Sequence, residues 1–277
     1  MKNILKSIIY FLKGHQILVL LATLSFMSFV LYRQYVFAGR LFLFEDFGSD
    51  SVRVSLPTYT YLFDWFNHGM PFWSDKMGIG TSVLSHPDIV FDPFTYILFL
   101  LGRGGIIHMF VYMVIAKIIF SGIFFWIFLG KYKLSSFAKL ISAITYAFGG
   151  YEIVTGQNYV FATMYVYLPL ILLGFEIWLQ NKRGWFLALM LTFTALYFFY
   201  FFYMTAIFLA IYAMFRYFML NSFELKHFLS YAFSLAGYIL LSLGLSAFFL
   251  FPSLALTLTN LRIGSSVPAL SNILCLI

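Results

Sequence analysis

The chain carries little charge for its length. Only 10% of its 277 residues are Asp, Glu, Lys or Arg, whereas soluble domains carry about a quarter. Hydrophobic residues make up 62% of the chain, so it lacks the polar surface that a water-soluble fold requires. This shortage of charge predicts an integral membrane protein.

Cysteine is almost absent as well, because Cys275 is the only one. One thiol excludes an internal disulfide and a cysteine-based metal site. The 17 Lys and Arg residues outnumber the 10 Asp and Glu residues and give a net charge of +7, but they are scattered at the ends of apolar segments. This distribution is typical of membrane topology signals and forms no groove for a phosphate backbone, so we expect no nucleic-acid partner.

Long, continuous apolar runs dominate the chain instead. In lipid an α-helix satisfies its own backbone groups, so we predict an all-α, polytopic helical membrane protein with about seven spans. The spans are expected at about 16–38, 105–130, 136–150 and 161–179, as two short crossings within 185–220, and at about 228–251. One helix over 185–220 would be about 54 Å long and would place Arg216 and Lys226 outside, which favours a turn near 197–200.

Positive charges at the ends of the spans predict their orientation. In this arrangement ten Lys and Arg residues face the cytoplasm, six face outward and Lys117 lies within the membrane. We therefore expect a cytoplasmic amino terminus, an uncleaved first helix and a long structured external loop over 39–92. Residues 93–102 are too few to cross and are predicted to form an interfacial or re-entrant helix. The whole chain, 1–277, is expected to be a single transmembrane domain.

The few acidic residues are concentrated in this external loop. Seven of the ten lie between positions 45 and 92, namely Glu45, Asp46, Asp50, Asp64, Asp75, Asp88 and Asp92. Acidic residues contribute little to orientation, so topology does not account for the cluster. Either a solvated loop simply carries its charge there, or the carboxylates perform chemistry.

Several motifs of the loop resemble the YfhO family of bacterial membrane proteins. They are Asp50 soon after the first helix, Pro57, GMPFW at 69–73, GIG at 78–80 and DPF at 92–94. The segments ALYFFYFFYM and SAFFLFPSLALTLTNLR are also similar to family segments, so the resemblance covers most of the chain. Two features depart from the family. Val54 stands where a Gln is common, and the members are much longer, which suggests that this chain is an amino-terminal fragment.

The resemblance implies a GT-C-type glycosyltransferase that spans the plasma membrane of a bacterium many times. Such enzymes are expected to take a sugar from a polyprenyl-phosphate donor in the membrane lipid. A carboxylate in the first external loop acts as general base on the acceptor hydroxyl, and the implied acceptor is a cell-wall polymer such as lipoteichoic acid. The base must lie within hydrogen-bond reach of the proton it removes, and positive groups must stabilise the departing phosphate.

Asp50 is the candidate catalytic base in this resemblance. Its alternative role is to cap a helix that begins near Ser51. Asp46 is a second catalytic candidate, which would position the acceptor or a divalent cation. Arg53 would share a helical face with Asp50, where it would either grip a phosphate or pair with the Asp50 carboxylate.

Three further residues are candidates for substrate binding. Lys117 would attract either the donor phosphate or a carboxylate such as Glu152, because an ionised group inside a span is usually functional. Trp73 would stack on a sugar or anchor the loop at the membrane interface. Arg262, just beyond the last span, would contact a phosphate.

A short stretch, HPDIVFD, offers weak candidates for a metal site. His86, Asp88 and Asp92 would together bind a divalent cation. Alternatively, the two Asp residues stabilise turns next to Pro87 and Pro93.

Two other classes of function remain open at this point. A transporter or lipid flippase would place its polar groups in broken helices at mid-membrane, often in paired repeats, whereas here only Lys117 is expected to lie that deep. The third alternative is a non-catalytic scaffold or fragment of a longer YfhO-like protein.

Overall fold

A computed structural model describes residues 15–44, 50–69, 73–75, 80–82, 90–156 and 158–259. Within these ranges the regular structure is helical, apart from one pair of two-residue strands. The prediction of an all-α, polytopic fold is therefore confirmed.

Most helices coincide with the predicted apolar runs, whereas Leu56–His68 lies within the predicted external loop. In chain order the α-helices are Gln16–Leu31 (α1), Arg33–Val36 (α2), Leu56–His68 (α3), Gly102–Leu129 (α4), Ser136–Ala147 (α5), Gly150–Thr155 (α6), Tyr159–Asn181 (α7), Trp185–Tyr197 (α8), Phe199–Leu220 (α9) and Leu225–Thr259 (α10). A π-helix, Ser51–Ser55, leads into α3, and a 3-10 helix, Pro93–Phe99, precedes α4. The strands Trp73–Ser74 (β1) and Thr81–Ser82 (β2) pair antiparallel.

Helix length separates strong candidate spans from weak ones. Among the described residues, α4, α7, α9 and the Leu225–Pro252 part of α10 are long and apolar enough to cross a membrane. Helices α1 and α8 are apolar but shorter. Helix α5, which coincides with the predicted third span, has 12 residues and is therefore about 18 Å long.

The first compact unit consists of Met1–Asn67 and Asp92–Arg183. Its central helix is α4, which packs against α1, α5, α7 and the 3-10 helix. Gly122 of α4 permits this close packing, because a Cβ there would lie 2.7 Å from Leu24 Cδ1 and 3.1 Å from Ala147 Cβ. The three helices α1, α4 and α5 thus meet at a position where an added Cβ would have to displace Leu24 and would crowd Ala147.

The second compact unit consists of His68–Phe91 and Gly184–Ile277. Helices α8 and α9 both pack against α10. The predicted turn near 197–200 is confirmed, because Phe198 is extended (φ −158°, ψ 111°) and separates α8 from α9. Helix α10 continues past Pro252 and is longer than the span predicted within it. The single transmembrane domain over 1–277 and the membrane orientation stay predictions.

Candidate functional site

Lys117, midway along α4, forms a buried ion pair with Asp92. The Lys117 Nζ atom lies 3.1 Å from Asp92 Oδ2, and the two side chains are 0% and 2% exposed. The ammonium also donates to the Tyr159 carbonyl oxygen at 2.7 Å and lies 5.7 Å from the centre of the Phe94 ring. Removing one partner of a buried pair leaves an uncompensated charge and costs about 3–5 kcal/mol. Neither side chain can be buried without the other, so the pair joins α4 to the end of the predicted external loop.

Asp92 connects three elements of the first unit through its two carboxylate oxygens. Its Oδ1 accepts a hydrogen bond from the Phe94 backbone N–H at 2.9 Å and so caps the 3-10 helix. Its Oδ2 accepts from the Thr163 hydroxyl at 2.7 Å, in addition to the Lys117 ammonium. The loop end, α4 and α7 therefore meet at one carboxylate.

Tyr159, the first residue of α7, extends this network toward the amino-terminal side of the loop. Its hydroxyl donates to the Phe42 carbonyl oxygen at 2.9 Å and is hydrogen-bonded to the Ser51 side chain. Its ring stacks on Phe110 of α4, with 4.6 Å between the ring centres. Phe42 and Ser51 lie on either side of residues 43–50, which contain Glu45, Asp46 and Asp50 and are called the acidic stretch below. Tyr159 is therefore bonded to the chain on both sides of this stretch.

Asp50 and Arg53 lie at the surface beside this network. Asp50 precedes the π-helix, and its carbonyl oxygen accepts from the Val54 and Ser55 N–H groups at 3.0 and 2.7 Å. The Asp50 carboxylate makes no capping hydrogen bond, so its alternative role as a helix cap is not what the structure shows. In the described part of the chain, the exposed Asp50 and Arg53 side chains form no ion pair with each other.

Glu152, in the short helix α6 outside the candidate spans, is a second buried carboxylate. The side chain is 0% exposed, and neither carboxylate oxygen has a hydrogen-bond partner among the described residues. Burial raises the pKa of Glu152 to about 7, although the nearby positive charge of Lys117 opposes the shift. A proton on this carboxyl group is therefore held far more tightly than on an ordinary glutamate.

The predicted metal site is only partly within the described residues. His86 and Asp88 lie outside them, and within the described ranges no group of three His, Cys, Asp or Glu side chains is placed to hold a metal ion. Asp92 is already bound by Lys117 and Thr163. The divalent cation stays a prediction, and no catalytic step is derived through it.

The other predicted site residues have different outcomes. Lys117 pairs with a carboxylate, as one of its two predicted roles requires, but the partner is Asp92 and not Glu152. Asp46 and Arg262 lie outside the described residues, and of Trp73 only the backbone in β1 is described. The substrate-binding roles of Arg53, Trp73, Lys117 and Arg262 stay predictions.

Sequence reasoning missed Tyr159, Thr163 and Ser51. A lone lysine inside an apolar run requires buried polar partners, and that requirement was the available signal. Tyr159 and Thr163 are four residues apart and therefore share a face of α7. Nothing in the sequence, however, distinguishes Tyr159 from the other 19 tyrosines as the residue that reaches the loop.

Comparison with known proteins supports the resemblance. The sequence model of a family described as "Bacterial membrane protein YfhO" matches residues 18–271. No curated protein and no solved structure matches significantly. Because the family match covers nearly the whole chain and the fold is polytopic and helical, the chain belongs to the YfhO family of bacterial membrane proteins.

Proposed function

We propose that the chain is a membrane glycosyltransferase that moves a sugar from a polyprenyl-phosphate donor to a cell-surface polymer such as lipoteichoic acid. The observation that carries this proposal is the setting of Asp50. Its carboxylate is exposed and makes no capping bond, while the adjoining Ser51 is fully buried and bonded to Tyr159. A solvent-accessible carboxylate on a fixed backbone is what a general base requires.

In the proposed reaction a hydroxyl oxygen of the acceptor attacks the anomeric carbon of the sugar. The bond between that carbon and the phosphate oxygen breaks, and the polyprenyl phosphate leaves with the electron pair. Asp50 takes the proton of the attacking hydroxyl. Arg53, exposed three residues further on, supplies a positive charge that would stabilise the departing phosphate.

The remaining predicted residues take supporting roles in this proposal. Asp46 would orient the acceptor, Trp73 would stack on the sugar, and Arg262 would contact the phosphate. Lys117 is buried and bonded to Asp92 and the Tyr159 carbonyl, which supports a structural role beneath the site more than direct contact with the donor.

Sugar transfer by membranes containing the chain tests the proposal. A radiolabelled polyprenyl-phosphate sugar and purified lipoteichoic acid are supplied, and label in the polymer is measured. We expect Asp50→Asn to lower kcat by about 100-fold or more, the usual contribution of a positioned base. Asp64→Asn is the matched control, because Asp64 lies in the same loop but pairs with the exposed Arg103 at 2.8 Å, and an exposed pair contributes little.

The result that contradicts the proposed role is equal transfer by the wild type and Asp50→Asn. Transfer by neither protein favours the scaffold or fragment alternative. A transporter or flippase is the second candidate, because Asp92, Lys117 and Glu152 are ionisable and buried, as residues on transport pathways often are. Movement of a fluorescent lipid-linked sugar across vesicles, without any transfer to the polymer, would select that candidate.

A further inference from the structure

Tyr159 makes two contacts whose positions along the chain are informative. Its hydroxyl bonds to the Phe42 carbonyl and to the Ser51 side chain. These partners are nine positions apart, and the stretch between them contains Glu45, Asp46 and Asp50. One phenol therefore links both flanks of the acidic stretch to the start of α7.

The phenol itself is held firmly. Tyr159 is 1% exposed, and its ring stacks on Phe110 and lies 6.4 Å from the Tyr59 ring, centre to centre. Its carbonyl oxygen is bound by Lys117 at 2.7 Å, and Lys117 is paired with Asp92. Because both the ring and the backbone of Tyr159 are fixed, its hydroxyl can hold the groups that it contacts in a defined position.

Asp50 adjoins Ser51, and their Cα atoms are about 3.8 Å apart across the peptide bond. Its carbonyl oxygen is also fixed by two backbone N–H groups of the π-helix. The freedom of the Asp50 carboxylate is thereby reduced to its own side-chain torsions, provided that Ser51 stays bound to Tyr159.

We propose that Tyr159 is a positioning residue for Asp50: through Ser51 it sets where the exposed carboxylate stands. This inference rests on the proposed function, in which Asp50 is the base. A displacement of about 1 Å at a catalytic group lowers a rate by up to about 100-fold. Tyr159 makes no contact with substrate in this proposal and acts only through Asp50.

A double-mutant cycle tests the dependence on Asp50. Tyr159→Phe removes only the hydroxyl, and we expect it to lower kcat of sugar transfer by about 10- to 100-fold with little change in the KM for the donor. In the Asp50→Asn background the same substitution is expected to have no further effect, because no base remains to be positioned. Additive losses in the double variant would overturn the inference.

Tyr165→Phe is the matched control. The Tyr165 hydroxyl also donates to a backbone carbonyl, that of Tyr146 at 2.7 Å. Neither Tyr165 nor Tyr146 belongs to the predicted external loop. Tyr165→Phe therefore shows how much sugar transfer falls when α7 loses a partly buried tyrosine hydroxyl that does not contact the residues around Asp50. We expect transfer close to wild type, and a loss equal to that of Tyr159→Phe would also count against the inference.

A second measurement does not depend on activity. In the 277-residue chain carrying Cys275→Ser, Asp50→Cys is labelled with a membrane-impermeant maleimide, and the labelling rate is compared with and without Tyr159→Phe. We expect the rate to change several-fold with Tyr159→Phe and to stay constant with Tyr165→Phe. Equal rates in all three backgrounds would show that Tyr159 does not position residue 50.

The two measurements separate this inference from the proposed function. If Asp50→Asn transfers sugar normally, the proposed function fails, and the labelling rates alone decide whether Tyr159 fixes this part of the loop. If Asp50→Asn is inactive but Tyr159→Phe is normal in both assays, only the positioning role is refuted.

Discussion

At the residue scale, Glu152 is a side chain whose charge fits its surroundings poorly. It is fully buried, the Lys117 ammonium acts on it electrostatically, and its own charge acts on the hydroxyl groups of Tyr32, Tyr146 and Tyr165. Among the described residues, Lys117 is the group that favours the ionised form. The neutral acid is therefore the form that burial stabilises.

This burial predicts a pH-dependent stability. Folding raises the pKa of Glu152 from 4.5 to about 7, so the folded state binds the proton more tightly than the unfolded state. The contribution of Glu152 to the free energy of unfolding is then greatest below about pH 4.5, falls as the pH rises to about 7, and levels off above that, by about 3 kcal/mol in total. We expect Glu152→Gln, which cannot ionise, to flatten this decline.

The measurement is the melting temperature of the purified protein in detergent between pH 5 and pH 8. The slopes of melting temperature against pH are compared, and not the melting temperatures themselves, because burying the Gln amide destabilises the protein equally at every pH. The control is Glu224→Gln, since Glu224 is exposed and its substitution should leave the slope unchanged. A Glu152→Gln slope equal to that of the wild type would contradict the prediction.

Sequence reasoning reached the charged members of the site but not the contacts that join them. Lys117 stands out because a charge inside a span is expensive in lipid, and Asp92 because it belongs to the acidic cluster of the loop and to the stretch HPDIVFD. Their pairing was missed, since 25 positions separate them and only the three-dimensional fold brings them together. Tyr159 and Thr163 carry no charge, so they do not stand out among the many polar aromatic and hydroxyl residues of the helices.

At the element scale, Gly122 determines how closely three helices approach. A methyl group at this position would meet Leu24 of α1 and Ala147 of α5, both of which are fully buried. We expect Gly122→Ala to destabilise the protein by about 1–3 kcal/mol through overpacking, although alanine favours a helix by up to about 1 kcal/mol over glycine. The melting temperature of the detergent-solubilised protein measures the net effect.

Gly237→Ala in α10 is the control for this prediction. A Cβ at Gly237 meets nothing within 4 Å, so only the helix preference remains and the substitution should stabilise the protein slightly. The two alanine variants are thus expected to shift the melting temperature in opposite directions. If Gly122→Ala stabilises as much as Gly237→Ala, the close approach of the helices is not set by this glycine.

Element positions were predictable where the physical signal is local. Apolar runs and the break at 197–200 were read correctly, because hydropathy and helix length depend on neighbouring residues alone. The exit of the last helix was placed before Pro252, whereas α10 runs to Thr259. A proline inside a helix removes one hydrogen bond but does not require the helix to end when packing favours its continuation.

At the scale of the whole molecule, Lys117 shows where the end of the predicted external loop lies along the candidate spans α4 and α7. Lys117 is 15 residues into α4, about 22 Å along its axis, yet its ammonium meets the first residue of α7 and the residue before the 3-10 helix. The start of α7 therefore lies beside the middle of α4, where the Tyr159 ring also stacks on Phe110. There Phe110 of α4 contacts Tyr59 of α3, within the predicted external loop.

The proposed chemistry requires that this loop side of the first unit face outward. Ten of the 17 Lys and Arg residues were assigned to the cytoplasm and six to the outside, an excess that predicts orientation in short loops. The exposed Asn67, at the end of α3, should then lie outside, and the exposed Arg183, after α7, should lie in the cytoplasm. These two positions belong to the same unit, so they test its orientation directly.

Labelling of intact cells provides that test. In a Cys275→Ser background we expect Asn67→Cys to react with a membrane-impermeant maleimide in intact cells, and Arg183→Cys to react only after the membrane is permeabilised. Each variant serves as the control for the reactivity of the other. The reverse pattern would place the acidic stretch in the cytoplasm, away from any surface polymer, because a charged loop does not cross the bilayer during a catalytic cycle.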